Sequence, residues 1–375
     1  MLFLLALIVF LASSILVIYP YIIYPFILKA LPSRPLRRDP RHACSATLVF
    51  CAYNEGAVMP EKLRNIEALK ARYPDLEVLA FDDGSSDDTF AQMQARPDLL
   101  TATQGGGRNG KAHGMKRLAG MATGDIIIFT DANVLLDEAS IDNLRAWYVD
   151  PEVGGICGTL RYIGAEGSAT ASVGGAYWRL EEYLKKEESR TGNVMGADGS
   201  IFSLRRALYP EFPDSVLDDL TVSMAAVFAG KRLLKVDDVI AYERLVAARS
   251  EEFARKVRIS ARAFHTHLYL RPQLVGMSRM DKFKYGSRKL VRWFGGLFLC
   301  LSVLSAMFLG ALISPLLGLA VLVALVLAIV IGPRFETGPV STVTEIVLAL
   351  MATSMGVWRA MKGQTVVTWS PAKSR

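Results

Sequence analysis

Three stretches of this chain carry no charge over lengths that matter for a bilayer. The first runs from Met1 to Leu28, the second from Trp293 to Pro333 and the third from Ile346 to Trp358. At 1.5 Å of rise per residue the first is long enough to cross a hydrocarbon core of about 30 Å. A cleaved signal peptide would need a basic start and a shorter apolar core. Neither is present, so residues 1–32 read as a retained anchor. Arg34, Arg37, Arg38 and Arg41 follow it and place that end on the cytoplasmic side. The second run is long enough for two passes, with Ser314-Pro315 as a turn near its middle. Residues 293–333 are therefore expected to form a hairpin. It is preceded by a basic juxtamembrane segment, 276–292, containing Arg279, Lys282, Lys284, Arg288, Lys289 and Arg292. The third run is short for a full span, and residues 341–358 are left as a re-entrant, interfacial or third C-terminal membrane helix. A third pass would export Arg359, Lys362, Lys373 and Arg375, which favours a cytosolic end.

Between the first two runs the pattern changes. Ser45–Cys51, Leu76–Phe81 and Asp125–Thr130 are short, mainly apolar and rich in β-branched or aromatic residues, which predicts strands. Helical stretches at Pro60–Arg72 and near Thr89–Ala95 separate them. Strands alternating with helices imply βαβ units, and hence an α/β domain over 45–275 with a mainly parallel sheet and helices on both faces. Ligands of such sheets bind beyond the carboxyl ends of the strands.

Composition agrees with a domain attached to a membrane. Of 375 residues 51% are hydrophobic, yet 21% are charged, too many for a bundle of spanning helices alone. Forty-three Lys and Arg against 36 Asp and Glu give a net charge of +7. The basic residues gather beside the apolar runs, so anionic lipid explains them better than nucleic acid. Cys44, Cys51, Cys157 and Cys300 are widely spaced, which speaks against a structural zinc site and for a reducing compartment.

The chemistry-bearing residues fall where the sheet edge requires them. After the first strand comes Ala52-Tyr53-Asn54-Glu55, and after the second Asp82-Asp83-Gly84-Ser85-Ser86-Asp87-Asp88. After the third comes Asp131-Ala132-Asn133. One such acid is often only a helix cap. Acids after three strands of one sheet converge on one edge, where carboxylates can take a nucleoside and a hard divalent cation bridging phosphates. Gly105-Gly-Gly-Arg-Asn-Gly-Lys111 adds a loop that lets backbone approach a ligand closely, with Arg108 and Lys111 supplying charge for phosphate oxygens.

Taken together, these motifs resemble those of the family 2 glycosyltransferases of GT-A fold, a Rossmann-like architecture, over roughly residues 45–270. The resemblance implies an inverting hexosyltransferase that uses a nucleotide-sugar donor, expected to be a UDP-sugar, with Mg²⁺ or Mn²⁺. It implies that Ala52, Tyr53, Glu55, Asp82 and Asp83 line the nucleoside pocket and that Lys111 contacts phosphate. Asp131 and Asn133 match the metal-binding Asp-X-Asp motif, with Asn in place of the second acid. Asp218-Asp219 match the Glu-Asp pair, making Asp219 the general base and Asp218 its neighbour. Gly196, Asp198 and Gly199 fall in the acceptor segment that accompanies the base.

Polymer synthases related to this family carry Gln-X-X-Arg-Trp after the base. Here the matching stretch is Arg255-Lys-Val-Arg258-Ile259, which keeps the cation and lacks the aromatic platform. Residues Glu251–Leu268 also read as a basic amphipathic helix suited to a membrane surface. The membrane flanks resemble those of bacterial inner-membrane enzymes that build exopolysaccharide, capsule or lipid-linked glycans. The expectation is a multi-pass protein with a cytoplasmic catalytic domain and a polyprenyl-diphosphate-linked acceptor, alone or in an oligomer or synthesis complex. Two alternatives stay open: a processive polysaccharide synthase, and a non-catalytic nucleotide-sugar-binding partner of one.

Overall fold

A computed structural model describes residues 1–163, 169–244, 249–331, 334–335 and 338–364. Pro333, Lys373 and Arg375, which entered the membrane reading above, lie outside the described residues.

The centre is one eight-stranded sheet. Its strands are β1 (Ala46–Ala52), β2 (Glu77–Asp82), β3 (Thr101–Gln104), β4 (Ile126–Asp131), β5 (Leu135–Leu136), β6 (Val153–Ile163), β7 (Ile201–Arg205) and β8 (Arg232–Arg244). Their order is β3-β2-β1-β4-β7-β6-β8-β5. The half β3-β2-β1-β4 is parallel throughout, which requires crossover helices. Beyond β4 the sheet is mixed: β7 runs antiparallel to β4 and β6, whereas β6 and β8 are parallel. The sheet is thus mainly parallel, with its antiparallel pairings confined to the half beyond β4.

Alternate residues of the inner strands feed two cores. Leu48, Phe50, Val78, Ala80, Ile126 and Ile128 face one side with Leu63, Ile66 and Leu69 of the helix Met59–Arg72. Val49, Cys51, Leu79, Phe81, Ile127 and Phe129 face the other. There they meet Met115 and Leu118 of the helix Lys111–Met121 and Val222 of the helix Asp218–Phe228. Burial on both faces explains why these strands read as continuous apolar runs. β3 escaped the sequence reading because Thr-Ala-Thr-Gln is a short, polar edge strand.

Two described helices, Gly295–Ile313 and Gly338–Met361, are long and apolar enough to cross a membrane. The first uncharged run folds as a broken pair, Leu2–Ile18 and Ile23–Ala30, bent by 63°. Counted as one span, that pair makes a third. Leu2–Ile18 packs along Gly295–Ile313. Ile23–Ala30 instead docks on the domain, burying Tyr24 and Leu28 against Leu184 of the helix Ala169–Arg190. Gly295–Ile313 ends at Ser314, and Pro315–Ile331 folds back into contact with it.

One reading is overturned here. The stretch expected to lie on a membrane surface belongs to a helix, Arg249–Gly276, whose apolar face is already covered. Val257, Ala261 and Phe264 are buried, and the Gly338–Met361 helix packs along them through Gly356 and Val357. Helix packing thus uses Val257 and Phe264 of that stripe, while Leu268 is exposed.

Candidate active site

Three loops close the carboxyl edge of the parallel half. The turn after β1 passes through Asn54, the one non-glycine residue with positive φ among the described residues (52°). Its side chain explains the tolerance: Asn54 Oδ1 accepts from Ser86 N at 2.8 Å, and Ser85 Oγ accepts from Asn54 N at 2.9 Å. Asp87 joins the same two loops by accepting from Gly56 N. Tyr53 lies beneath the Arg108 guanidinium, 3.7 Å from its ring centroid. Glu55 and Ala52 are both buried beside them.

Asp82 and Asp83 are fully buried and engaged by the protein itself. Asp82 accepts from Ser85 N, Ser85 Oγ and Gln104 Nε2. Asp83 accepts from Asn109 N at 2.8 Å and Gly110 N at 3.0 Å. Both acids thus anchor the loops around them. Asp83 pins the glycine-rich loop where it enters the Lys111–Met121 helix, and so sets where Lys111 begins its reach.

Lys111 is the centre of the charge arrangement. Its Nζ donates to Asp131 Oδ1 at 2.6 Å and lies 3.8 Å from Asp218 Oδ2. Burial alone would lower its pKa, but Asp131, Asp218 and Asp219 outweigh burial and hold it above the usual lysine range. A Cβ on Gly199 would stand 3.0 Å from Lys111 Nζ, 3.6 Å from Asp219 Oδ2 and 3.8 Å from Asp131 Oδ2. One point in space therefore sees the end of β4, the start of the Lys111 helix, the start of the Asp218 helix and the 196–200 turn. Only glycine leaves that point open. The turn is held there by Thr130 Oγ1 donating to Ser200 O and Ala197 N donating to Ser223 Oγ.

Asp219 is half-buried beside the buried Asp218 at the start of its helix. Burial first, and the neighbouring Asp218 second, push its pKa up from 3.8 to about 6, against the pull of Lys111. The segment before it is fixed by Leu217 N donating to Thr266 Oγ1 of the Arg249–Gly276 helix.

Other expected residues sit farther from this centre. Asp198 pairs with buried Lys185; burial would raise its pKa, and Lys185 overrides that and holds it low. Asn133 Nδ2 donates to Glu243 Oε1 at 2.9 Å, tying it to β8. Arg258 lies one turn before Arg262, whose Nη2 donates to Val216 O. Gly196 adopts φ of 100° beside Leu220.

Sequence reasoning missed Lys62. It is fully buried, and its Nζ donates to Asp131 O at 3.1 Å and Val134 O at 2.5 Å, bracing the loop that presents Asp131. Burial lowers its pKa to about 7 despite Asp131. The signal was there: Lys62 falls on the apolar stripe Met59, Leu63, Ile66, Leu69, where a solvated lysine has no place.

No curated protein matches the sequence. Among solved structures, the mannosyltransferase PcManGT from Pyrobaculum calidifontis, in complex with GDP-Man and Mn²⁺, aligns over 97% of this chain and 100% of its own. The TM-score is 0.76 and the identity 22%, a likeness of fold. S. aureus TarS 1-349 in complex with UDP-GlcNAc is more remote, with a TM-score of 0.45 and 14% identity over 85% of this chain and 92% of its own. The family model "Glycosyl transferase family 2" matches residues 47–212, covering every donor-edge loop described above. Residues 47–212 thus match a glycosyltransferase family 2 model, within a GT-A-like fold that has apolar helices after it.

Proposed function

We propose that this protein is an inverting glycosyltransferase that moves a sugar from a nucleotide-sugar donor to a membrane-associated acceptor. The observation that carries the reading is the convergence of Lys111, Asp131 and Asp219 on the open space at Gly199. The acceptor hydroxyl binds beside Asp219, whose carboxylate takes its proton as the oxygen attacks the anomeric carbon. The glycosidic C–O bond forms as the bond from anomeric carbon to phosphate oxygen breaks, and the electron pair leaves with the nucleoside diphosphate. A base with a pKa near 6 is ionised at neutral pH yet still basic enough to accept a proton. Lys111 offers its charge to the leaving diphosphate.

The residues present fit a divalent ion shared with the donor. Among the described residues no group of three or more His, Cys, Asp or Glu would hold a metal alone. Mg²⁺ is commonly held by one or two carboxylates plus substrate phosphates, and Mn²⁺ favours similar oxygen ligands. Asp131 would supply the carboxylate, and Asn133 keeps its amide oxygen as a neutral second donor while its nitrogen serves Glu243. When bound, the ion offsets charge on the departing diphosphate. PcManGT, of similar fold, is in complex with GDP-Man and Mn²⁺, which supports a nucleotide sugar and a metal of this class. Tyr53, under Arg108, and the neighbouring Asp82 and Asp83 would take the nucleoside base, with a UDP-sugar as the first candidate donor.

The apolar helices and the flanking arginines support a domain on the cytoplasmic face of a bacterial inner membrane, acting on a polyprenyl-diphosphate-linked glycan for a cell-surface polysaccharide. Single addition is favoured over processive export, because two or three candidate spans are few for a polymer channel. Intact Asp219, Asp131 and Lys111 speak against a silent partner.

The test is nucleotide release by detergent-purified protein with Mn²⁺, a panel of UDP-, GDP- and dTDP-sugars, and native membrane lipid extract as acceptor. One donor should be turned over, and Asp219→Asn should cut the rate by at least about a hundredfold. Undiminished release by Asp219→Asn would remove the assigned base, and binding without turnover of any donor would remove the transferase.

A further inference from the structure

The juxtamembrane segment leading into Gly295–Ile313 is crowded with cations, and their partners differ. Arg288 is buried between Glu188, at 2.5 Å, and Glu181, at 2.8 Å. Arg292 pairs with Glu181 as well. Lys284 Nζ donates to Glu188 O at 2.8 Å. These three tie the segment to the helix Ala169–Arg190. Lys289 does not join them. Among the described residues neither a hydrogen bond nor an ion pair engages it. Its Nζ instead lies 3.8 Å, and its Cε 4.0 Å, from where a Cβ on Gly196 would stand, at the turn that leads to Gly199.

The backbone explains how adjacent residues reach different targets. Gly286–Leu290 is a turn of π-helix, an insertion that breaks the register of an α-helix and recurs at functional sites. Arg288 thereby faces Glu181 and Glu188 while Lys289 reaches the acceptor turn beyond them. Lys289 also lies shortly before Gly295–Ile313, a helix long and apolar enough to cross a membrane. A cation there is placed to meet a phosphate whose hydrocarbon tail stays in the bilayer.

We propose that Lys289 is the anion contact for a phosphate or diphosphate on a polyprenyl-type acceptor lipid, holding that group at the Gly196 side of the site so that the acceptor hydroxyl is delivered to Asp219. The inference rests on the transferase reading for its purpose and on the position of Lys289 for its chemistry. Charge fits as well. Burial, and then the neighbouring Arg288, hold the Lys289 pKa down to about 8, with Glu181, Asp219 and Glu188 pulling the other way. An ammonium in that condition gains from an incoming phosphate.

Binding tests this without requiring turnover. Full-length protein in phosphatidylcholine nanodiscs would be titrated with a polyprenyl diphosphate, with the neutral polyprenol of the same length, and with UDP and GDP in the presence of Mn²⁺. Lys289→Met should weaken polyprenyl diphosphate at least tenfold and leave the nucleotides within twofold. Lys289→Arg should stay within threefold of the wild type. The wild-type affinity should fall as pH rises from 7 to 9, as Lys289 loses its proton, and the fall should vanish in Lys289→Arg. Four results would overturn the proposal: no binding of polyprenyl diphosphate by the wild type, equal weakening of the neutral polyprenol, weakening of the nucleotides, or competition by phosphatidylglycerol discs that abolishes the dependence. Lipid binding that ignores Lys289 while nucleotide release continues would remove this contact alone. Lipid binding that depends on Lys289 while no donor is turned over would keep the contact and remove the transferase.

Discussion

The donor edge and the acceptor edge of the site are built by different kinds of contact. At the donor edge, Asp83 takes its hydrogen bonds from backbone 26 and 27 positions along the chain, and Asn54 and Asp87 lace neighbouring loops in the same manner. At the acceptor edge, Glu188 and Glu181 hold Arg288 across 100 and 107 positions. The first is a set of short loops fixed by backbone donors on a parallel sheet. The second is a charge network between a domain helix and the segment entering the apolar helices. On the proposed reading, the local design positions the nucleotide-sugar donor. A long-range one couples the site to whatever carries the acceptor.

That contrast can be broken first at its strongest point. Glu181→Ala leaves Arg292 without its carboxylate and Arg288 with one partner, and losing a buried partner costs about 3–5 kcal/mol. Thermal unfolding in detergent should drop by roughly 10 °C, while nucleotide affinity below the transition is unchanged. A drop in nucleotide affinity would mean that the two edges are not separable.

Asp219→Asn probes the junction between them through stability. A carboxyl that holds its proton more tightly folded than unfolded stabilises the fold below its unfolded pKa and loses that contribution as pH climbs through about 6. At pH 7.5 the ionised Asp219 is therefore a burden worth up to about 3 kcal/mol, and Asp219→Asn should unfold at a higher temperature than the wild type. At pH 4 the two should converge. A variant less stable at pH 7.5 would show that Asp219 serves the fold, not the reaction.

Asp83→Ala acts on the donor edge alone. Two backbone N–H groups lose their acceptor, a change of about 1–3 kcal/mol. Donor KM should rise between about tenfold and a hundredfold, with acceptor KM unchanged. The smallest effect is expected of Tyr53→Ala, which removes the ring under Arg108, a contact worth about 1 kcal/mol. Donor KM should rise a few-fold at constant kcat.

The same contrast decides what could be read from residue order. β1, β2 and β4 announce themselves as two-sided apolar runs, and each is followed at once by its acids, so the meeting of those loops at one sheet edge was legible. What pattern could not tell is that Asp82 and Asp83 also accept hydrogen bonds from the loops around them, because an acid in a turn looks alike whether or not a backbone amide meets it. The acceptor edge was legible only through the motif around Asp219. Arg288 reads as an ordinary basic residue of a juxtamembrane segment, and nothing local marks that its carboxylates lie 100 and 107 positions away. The amphipathic stripe of Arg249–Gly276 misled for a related reason: an apolar face shows that something covers it, and here a helix about a hundred residues later does so.

The most direct test of the account is the pH dependence of nucleotide release at saturating Mn²⁺ and limiting donor. The base reading predicts that kcat/KM rises tenfold per pH step below about 6 and is level above it, and that Asp219→Asn is slow at every pH with no such limb. A wild-type profile that is flat from pH 5 to 8, or a limb that persists in Asp219→Asn, would contradict it.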